Sequence, residues 1–259
     1  MTADITSPSN ERIKNLVRLR ERKHRDESQT FIVEGERLVT RALSAGLTPV
    51  EVFTTDPNRW KQLTNVVSVT ESVLSKASYR QSSEGVIAVL DQFPTGLHNL
   101  APKPDPLLLV AEQIEKPGNL GAMLRSADAM GADAMIVVGR GVDVFNPNVI
   151  RSSTGALFVI PVACCGLEEL VPWLTARAVR LLVATPEATD SLWSADLSTG
   201  VALMVGSENR GVSDTARSMA DQLVTIPMLG NIDSLNAATT LSILGYEALR
   251  QRQANSSDH

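Results

Sequence analysis

LLLVAEQIEKPGNLGAMLRSADAMGADAMIVV, residues 107–138, decides the fold. A short apolar run (107–111) leads into a polar turn with glycines, a helical pattern over 120–130, and a second apolar run at 134–138. Runs this short, without polar alternation, suit strands buried on both faces. The same unit recurs downstream as RLLVAT (180–185), VALMVG (201–206) and QLVTIPM (222–228), with a further short strand expected at Phe158–Ala163. Helical patterns at 149–156, 167–176, 213–220 and 235–252 separate them. In the last, Leu235, Ala238, Leu241, Leu244 and Ala248 form an apolar stripe. Strand–helix alternation of this kind predicts an α/β fold, a mostly parallel sheet with helices on both faces. Ligands of such sheets bind beyond the carboxyl ends of the strands. The residues that follow each strand therefore carry the functional information.

Upstream, FPTGLHNLAPKPDP (93–106) holds Pro94, Pro102, Pro104 and Pro106. Prolines this dense remove backbone donors and disfavour helix in the residues before them. Residues 94–106 read as a linker between 1–93 and 107–259. In the first part a helix is expected from Asn10 to about Arg25, with Ile13, Leu16, Val17 and Arg20 at helical spacing. Phe31–Val33 reads as a strand, and Leu38, Val39, Ala42 and Leu43 mark a helix. Val50–Thr54 and Gly85–Leu90 read as strands and complete a small α/β module.

Composition narrows the function. With 259 residues, 43% apolar and 20% charged, the chain reads as an ordinary globular protein. No apolar run is long enough to span a bilayer. The opening MTADITSPSNERIK lacks the layout of a secretory signal, so a cytoplasmic location is expected. Cys164 and Cys165 are the only cysteines and adjacent, which excludes zinc-type spacing and makes a disulfide implausible. Both read as buried or idle thiols. His24, His98 and His259 are scattered, which argues against a histidine triad or metal centre.

The net charge of −5 by itself speaks against a nucleic-acid partner. It conceals an asymmetry. Arg12, Lys14, Arg18, Arg20, Arg22, Lys23 and Arg25 fall in one short stretch whose single acid is Glu21. Such a stripe is either an electrostatic footprint for phosphates or a solvated helix face.

Three strand ends stand out. After 107–111 come Glu112 to Gly121 and then a helix carrying Arg125, whose planar donor fork suits a phosphate unless it simply faces solvent. After 201–206 comes Ser207-Glu208-Asn209-Arg210-Gly211, flanked by glycines, with Ser213 placed to cap the next helix. This turn has neither the GxGxxG nor the GxxxxGK[ST] pattern, so a dinucleotide site and a P-loop are both unsupported. Glu208 is either a ligand contact or a turn residue. After 222–228 comes Leu229 to Ala238, rich in Gly, Asn and Ser. That loop offers backbone amides and carbonyls that suit the edge of an adenine, and Ser234 is positioned to cap the final helix.

Together these segments resemble the motifs of the SpoU (TrmH) family of SPOUT methyltransferases. PGNLGAMLRSADAMGAD resembles its first motif through Asn119, Gly121, Arg125 and Ala127; LMVGSENRGVS resembles the second through Gly206, Glu208 and Gly211. IPMLGNIDSLN resembles the third through Ile226, Pro227, Met228, Ser234, Leu235 and Asn236. Upstream, NERIKNLVRLRERKHRDESQTFIVEGERLV and SSEGVIAVL (82–90) are similar to the family's N-terminal RNA-binding domain, which has an L30e-like fold. The Asn146-Pro147…Arg151 segment resembles another in which the arginine lies near the active site.

The resemblance implies an S-adenosylmethionine-dependent RNA 2′-O-ribose methyltransferase with a C-terminal trefoil knot, working as a homodimer without a metal. It implies cofactor contacts at Gly206, Ile226 and Leu235, with Thr185 and Met228 as further candidates. It places the catalytic group at Arg125, Asn119, Glu208, Ser234 and Asn236. In the family Arg125 corresponds to the proposed base; a phosphate clamp is the alternative on the same geometry. Ser234 and Asn236 would orient the ribose hydroxyl, and Asn119 would order the loop before Arg125. RNA would be met by the basic stripe and Arg151. One departure is visible: Ala237-Ala238 stand where the family commonly has Val-Ser. Ribosomal RNA, 23S first, is the expected substrate, with transfer RNA as alternative. Housekeeping and antibiotic-resistance roles fit equally. A catalytically silent RNA-binding protein is the reading from a different class, and a nucleotide-dependent oxidoreductase is disfavoured by the missing glycine fingerprint.

Overall fold

The computed structural model describes residues 4–79 and 84–256. Residues 1–3 of the N-terminal stretch, Ser82, Ser83 and His259, all read above, lie outside them. The chain forms two compact units, Met1–Phe93 with Asp143–Phe158, and Pro94–Val142 with Val159–His259.

In the first unit the strand order is β1 (Thr30–Glu34), β4 (Val86–Asp91), β2 (Pro49–Thr54), β3 (Val66–Ser68). β4 runs antiparallel to both β1 and β2, whereas β2 and β3 are parallel. Helices α3 (Glu36–Ser44) and α4 (Glu71–Ala77) follow β1 and β3. The single N-terminal helix expected from the sequence is two, α1 (Glu11–Arg18) and α2 (Arg22–Ser28). Arg25 is the physical reason. Its side chain is 1% exposed, and Nη1 donates at 2.8 Å to the carbonyls of Leu19 and Arg20, the groups left open where α1 ends. Its Nε and Nη2 meet Asp143 at 2.9 and 2.6 Å. A charge assigned from sequence to an RNA-facing stripe is instead a buried cap.

The same pair explains why 143–158, expected within the second part, packs with the first. Asp143 answers Arg25, and Phe145 stacks among Phe31 and Phe93 at centroid separations of 5.0 and 4.9 Å. Helix α6 (Pro147–Ser153) adds Asn148, which donates to the Tyr79 hydroxyl at 3.0 Å.

The second unit is built on six strands in the order β10-β8-β9-β5-β6-β7, every neighbouring pair parallel. They are β5 (Leu107–Glu112), β6 (Ala134–Val138), β7 (Val162–Cys165), β8 (Arg180–Ala184), β9 (Val201–Val205) and β10 (Gln222–Val224). β5, β6 and β9 are buried at every position, as a sheet covered on both faces requires. Leu108, Val110, Ile136, Val183 and Met204 face one side and pack with α7 (Leu167–Thr175) and α8 (Asp214–Met219) through Leu170, Leu174 and Ala216. The other side carries α5 (Pro117–Met130) and α9 (Ala237–Ser256), in contact with each other, α5 also with β6 and α9 with β9 and β5. Ser126 and Ser242 share a 2.7 Å hydrogen bond there.

β10 stops at Val224, short of the expected Met228, because Pro227 has no N–H to offer a ladder. Helix α9 starts at Ala237 rather than Leu235, because Asn236 caps it; its Oδ1 accepts from the amides of Ala238 and Thr239 at 3.0 and 3.3 Å. Ser234 does not cap. Cys164 is exposed rather than buried. Cys165 is half-buried, with its thiol pushed up to about 12 by burial. Among the described residues no helix is long and apolar enough to cross a membrane.

Replacing Arg25 by Ala strips Asp143, whose side chain is 10% exposed, of its counter-charge. Removing one partner of a buried pair costs roughly 3–5 kcal/mol. Denaturant unfolding of Arg25→Ala should show a loss of that size, with α1 and α2 losing helicity first.

Candidate active site

All six strands of the second sheet point the same way, so their carboxyl ends share one edge. From β5 the chain moves to β6 on one side; from β9 it moves past β8 to β10 on the other. Adjacent strands with oppositely directed connections leave a crevice between them. The crevice here opens between β5 and β9; the turn after β9 carries Glu208, and the helix after β5 carries Asn119 in its first turn.

The turn after β9 is closed on itself. Ser207 and Gly211 exchange both backbone hydrogen bonds, at 3.0 and 2.9 Å. Gly211 has φ +65°, and a Cβ at Gly206 would lie 2.1 Å from the backbone carbonyl of Gly211. Only glycine lets this turn fold back so tightly. Glu112, 2% exposed at the end of β5, anchors its far side: its carboxylate accepts from the amide and hydroxyl of Ser213 at 2.8 and 2.6 Å. Ser213 in turn caps α8, accepting from Ala216 N at 3.1 Å.

Asn119 sits in the first turn of α5, not in a loop. Its Nδ2 donates to Glu208 Oε1, and its Oδ1 accepts from Asn236 Nδ2 at 3.2 Å. One amide thus joins all three strand ends. The second oxygen of Glu208 is out of solvent and accepts no hydrogen bond from the described residues. Asn236 is used at both ends of its amide, which leaves Ser234, exposed and in the same loop, as the freer hydroxyl.

Beside this relay lies a cleft of about 340 Å³ between the ends of β8, β9 and β10. Gly206, Ile226, Leu235, Thr185 and Met228 all line it, and so do Glu208 and Ser234. Arg125 stands apart on α5, exposed, and makes no hydrogen bond or ion pair among the described residues. Arg151 lies in the first unit, donating to Asn148 Oδ1 at 3.0 Å. Of the basic stripe, Arg12 pairs with Glu51 and Lys14 with Glu11, at 2.5 and 2.6 Å, and Arg22 pairs with Asp26 at 3.3 Å. Lys23 stands 3.8 Å from Glu27, while Arg18 donates to Asn15 at 3.1 Å. Arg20 donates at 2.9 Å to the carbonyls of Lys76 and Ala77, closing the end of α4.

Three groups were not foreseen. Glu112 was read only as part of a turn. Glu187, three residues past β8, and Arg217, four past the Ser213 cap, line the cleft and meet at 3.5 Å. Their positions after a strand end and in a capped first turn were the available signals. Among the described residues no cluster of three or more His, Cys, Asp or Glu is placed to hold a metal.

Residues 106–246 match the model of the SpoU rRNA Methylase family, and residues 10–88 match the MRM3-like substrate binding domain. The chain belongs to the SpoU rRNA methylase family. It is 33% identical to a 23S rRNA (uridine(2479)-2′-O)-methyltransferase of Streptomyces viridochromogenes, over 89% of this chain and 86% of that one. A crystal structure of an RNA 2′-O ribose methyltransferase superposes with TM-score 0.83 at 42% identity, covering 96% of this chain and 99% of the other. An AdoMet-bound rRNA methyltransferase from Sinorhizobium meliloti gives TM-score 0.89 at 30% identity, over 95% and 97%.

This SpoU chain is an S-adenosylmethionine-dependent RNA 2′-O-methyltransferase. The cleft fits the methyl donor: Val205, Ile226 and Leu235 give apolar wall for a purine, and loop backbone and the unanswered Glu208 oxygen give polar wall. Gly206→Ala should overpack the SpoU turn by about 1–3 kcal/mol. Calorimetric titration with S-adenosylmethionine should then show about tenfold or greater loss of affinity, while circular dichroism stays native.

Proposed function

We propose that this chain methylates a ribose 2′-OH of 23S ribosomal RNA, with Arg125 as the group that engages the target nucleotide. One observation supports the role of Arg125 most: it is an exposed guanidinium without a partner among the described residues, on the helix whose first turn joins the three strand ends. Bound in the cleft, S-adenosylmethionine supplies a methyl on a sulfonium that leaves readily, so the demands on the protein lie with the nucleophile. The 2′-OH must be held in line with the methyl and must lose its proton. A guanidinium in a protein keeps its own proton. Arg125 is therefore better suited to clamp the adjacent phosphate and stabilise developing charge than to act as base. The exposed Ser234 hydroxyl orients the ribose, and Asn119 holds Glu208 and Asn236 so that the three loops keep one geometry. Asn236 then serves as helix cap and tether. Ala238 brings no hydroxyl to the site, so no step depends on one there.

The first unit serves as the RNA-binding module, in our reading with an L30e-like fold; the match of residues 10–88 to a substrate binding domain supports this. Arg12, Lys14, Arg18, Arg22, Lys23 and Arg151 remain its candidate contacts, each already engaged by an acid or amide that phosphate would displace. The loop before α9 exposes Leu229 fully and Ile232 by 63%, apolar surface that a second copy would cover in a homodimer. Tying of this loop as a trefoil knot, and work in the cytoplasm on newly made ribosomal RNA, belong to the same reading.

Arg125→Ala should lower methyl transfer by a hundredfold or more, about the loss seen when a transition-state donor is removed, with S-adenosylmethionine affinity unchanged by calorimetry. Substantial residual activity would overturn the assignment. Mapping 2′-O-methyls on total RNA with and without the gene should show one lost site on 23S RNA; a lost site on transfer RNA would move the target, and no lost site would sink the reading. Sedimentation equilibrium should report a dimer.

A further inference from the structure

Glu187 and Arg217 lie in the wall of the cleft and take no part in the steps above. Thr185 Oγ1 donates to the Glu187 carboxylate; that bond, with one from its own backbone N–H, holds the carboxyl below its ordinary range, so it is anionic at neutral pH. Arg217 Nη1 stands 3.5 Å from Glu187 Oε2. Charge-assisted bonds of this kind normally close to about 2.7–2.9 Å. The pair is loose in other respects too: the side chains are 30% and 65% exposed, and Arg217 Nε is out of solvent with no acceptor. The backbone beneath is not loose, since α8 is capped by Ser213 and Ser213 is held by the buried Glu112. A fixed helix thus presents a guanidinium that has not met its best partner.

S-adenosylmethionine ends in an amino acid, with a carboxylate and an ammonium on one carbon. Its carboxylate is its only anionic group. Among the described residues lining the cleft, Arg210 and Arg217 are the cations; Arg210 is exposed, whereas Arg217 is partly buried and stands beside an acid. A cation and an anion 3.5 Å apart form a complement to a zwitterion. We propose that Arg217 recognises the α-carboxylate of the methionyl end of S-adenosylmethionine and Glu187 its α-ammonium, the ligand dividing a loose ion pair. This rests on the cleft being the S-adenosylmethionine site.

Removing the ligand's carboxylate and removing the arginine test the same contact from both sides. For the wild-type protein, calorimetry should show decarboxylated S-adenosylmethionine binding about tenfold or more weaker than S-adenosylmethionine, the scale of one lost charged hydrogen bond. Arg217→Gln should lose a similar factor for S-adenosylmethionine and bind the decarboxylated compound as the wild type does. Arg217→Lys, which keeps the charge, should recover part of the loss. Glu187→Gln should weaken S-adenosylmethionine while leaving 5′-methylthioadenosine, which lacks the amino-acid end, unaffected. If Arg217→Gln weakens both donors equally, or neither, the contact is elsewhere and the proposal falls while the cofactor site stands. If the wild type binds no S-adenosylmethionine, the reading of the cleft fails, and this inference with it.

Discussion

Uniform strand direction is the constraint on which the second unit depends. A parallel neighbour can be reached only by a crossover, so every turn out of a strand is delivered to the same edge of the sheet. Six parallel strands therefore gather the turns after β5, β8, β9 and β10 along one rim, though these turns are far apart in sequence. Asn119 is able to bond both Glu208 and Asn236 because of that geometry. Buried carboxylates then refine it: Glu112 fixes the start of α8, and through α8 the far wall of the cleft.

The division of labour within the site follows from burial. Groups that shape the cleft are spent on one another. Asn236 uses both ends of its amide, and Gly206 leaves no room for a side chain against the Gly211 backbone. Groups left unspent are those a ligand can engage: the Arg125 guanidinium, the Ser234 hydroxyl, and the loosely paired Glu187 and Arg217. Hydrogen bonds from Asn119 to both Glu208 and Asn236 tie the three loops to one another, so the free donors stand on a cross-linked frame.

Much of this was legible in the sequence, and the exceptions have physical causes. The runs at 107–111 and 134–138 are strands because continuous apolar sequence survives only where both faces are covered. The cleft residues Gly206, Ile226 and Leu235 came from the resemblance to the SpoU motifs, and all three line the cleft. β3 and α4 were missed, being three and seven residues long and too short to establish a period. The N-terminal break was missed because Arg25 reads like any other base in a basic stretch; its burial depends on Asp143, 118 residues away. Glu187 and Arg217 stand at positions that offer a signal, after a strand end and in a capped first turn, but their pairing gains meaning only once the chain brings them together. Charge in a sequence does not reveal its own partner.

The segment from Asp143 to Phe158 has a consequence for how such a protein can be cut, joined or inherited. Its sequence lies inside the methyltransferase half, yet its aromatic, ionic and amide partners are Phe31, Arg25 and Tyr79 of the other unit. The chain therefore passes between the units three times rather than once, and the proline-rich stretch before β5 is not a true seam. A recombination event at that stretch would separate Arg25 from Asp143 and leave α6 without its sheet. Exchange of the first unit between relatives must carry the internal segment along, so no single cut swaps one unit for another.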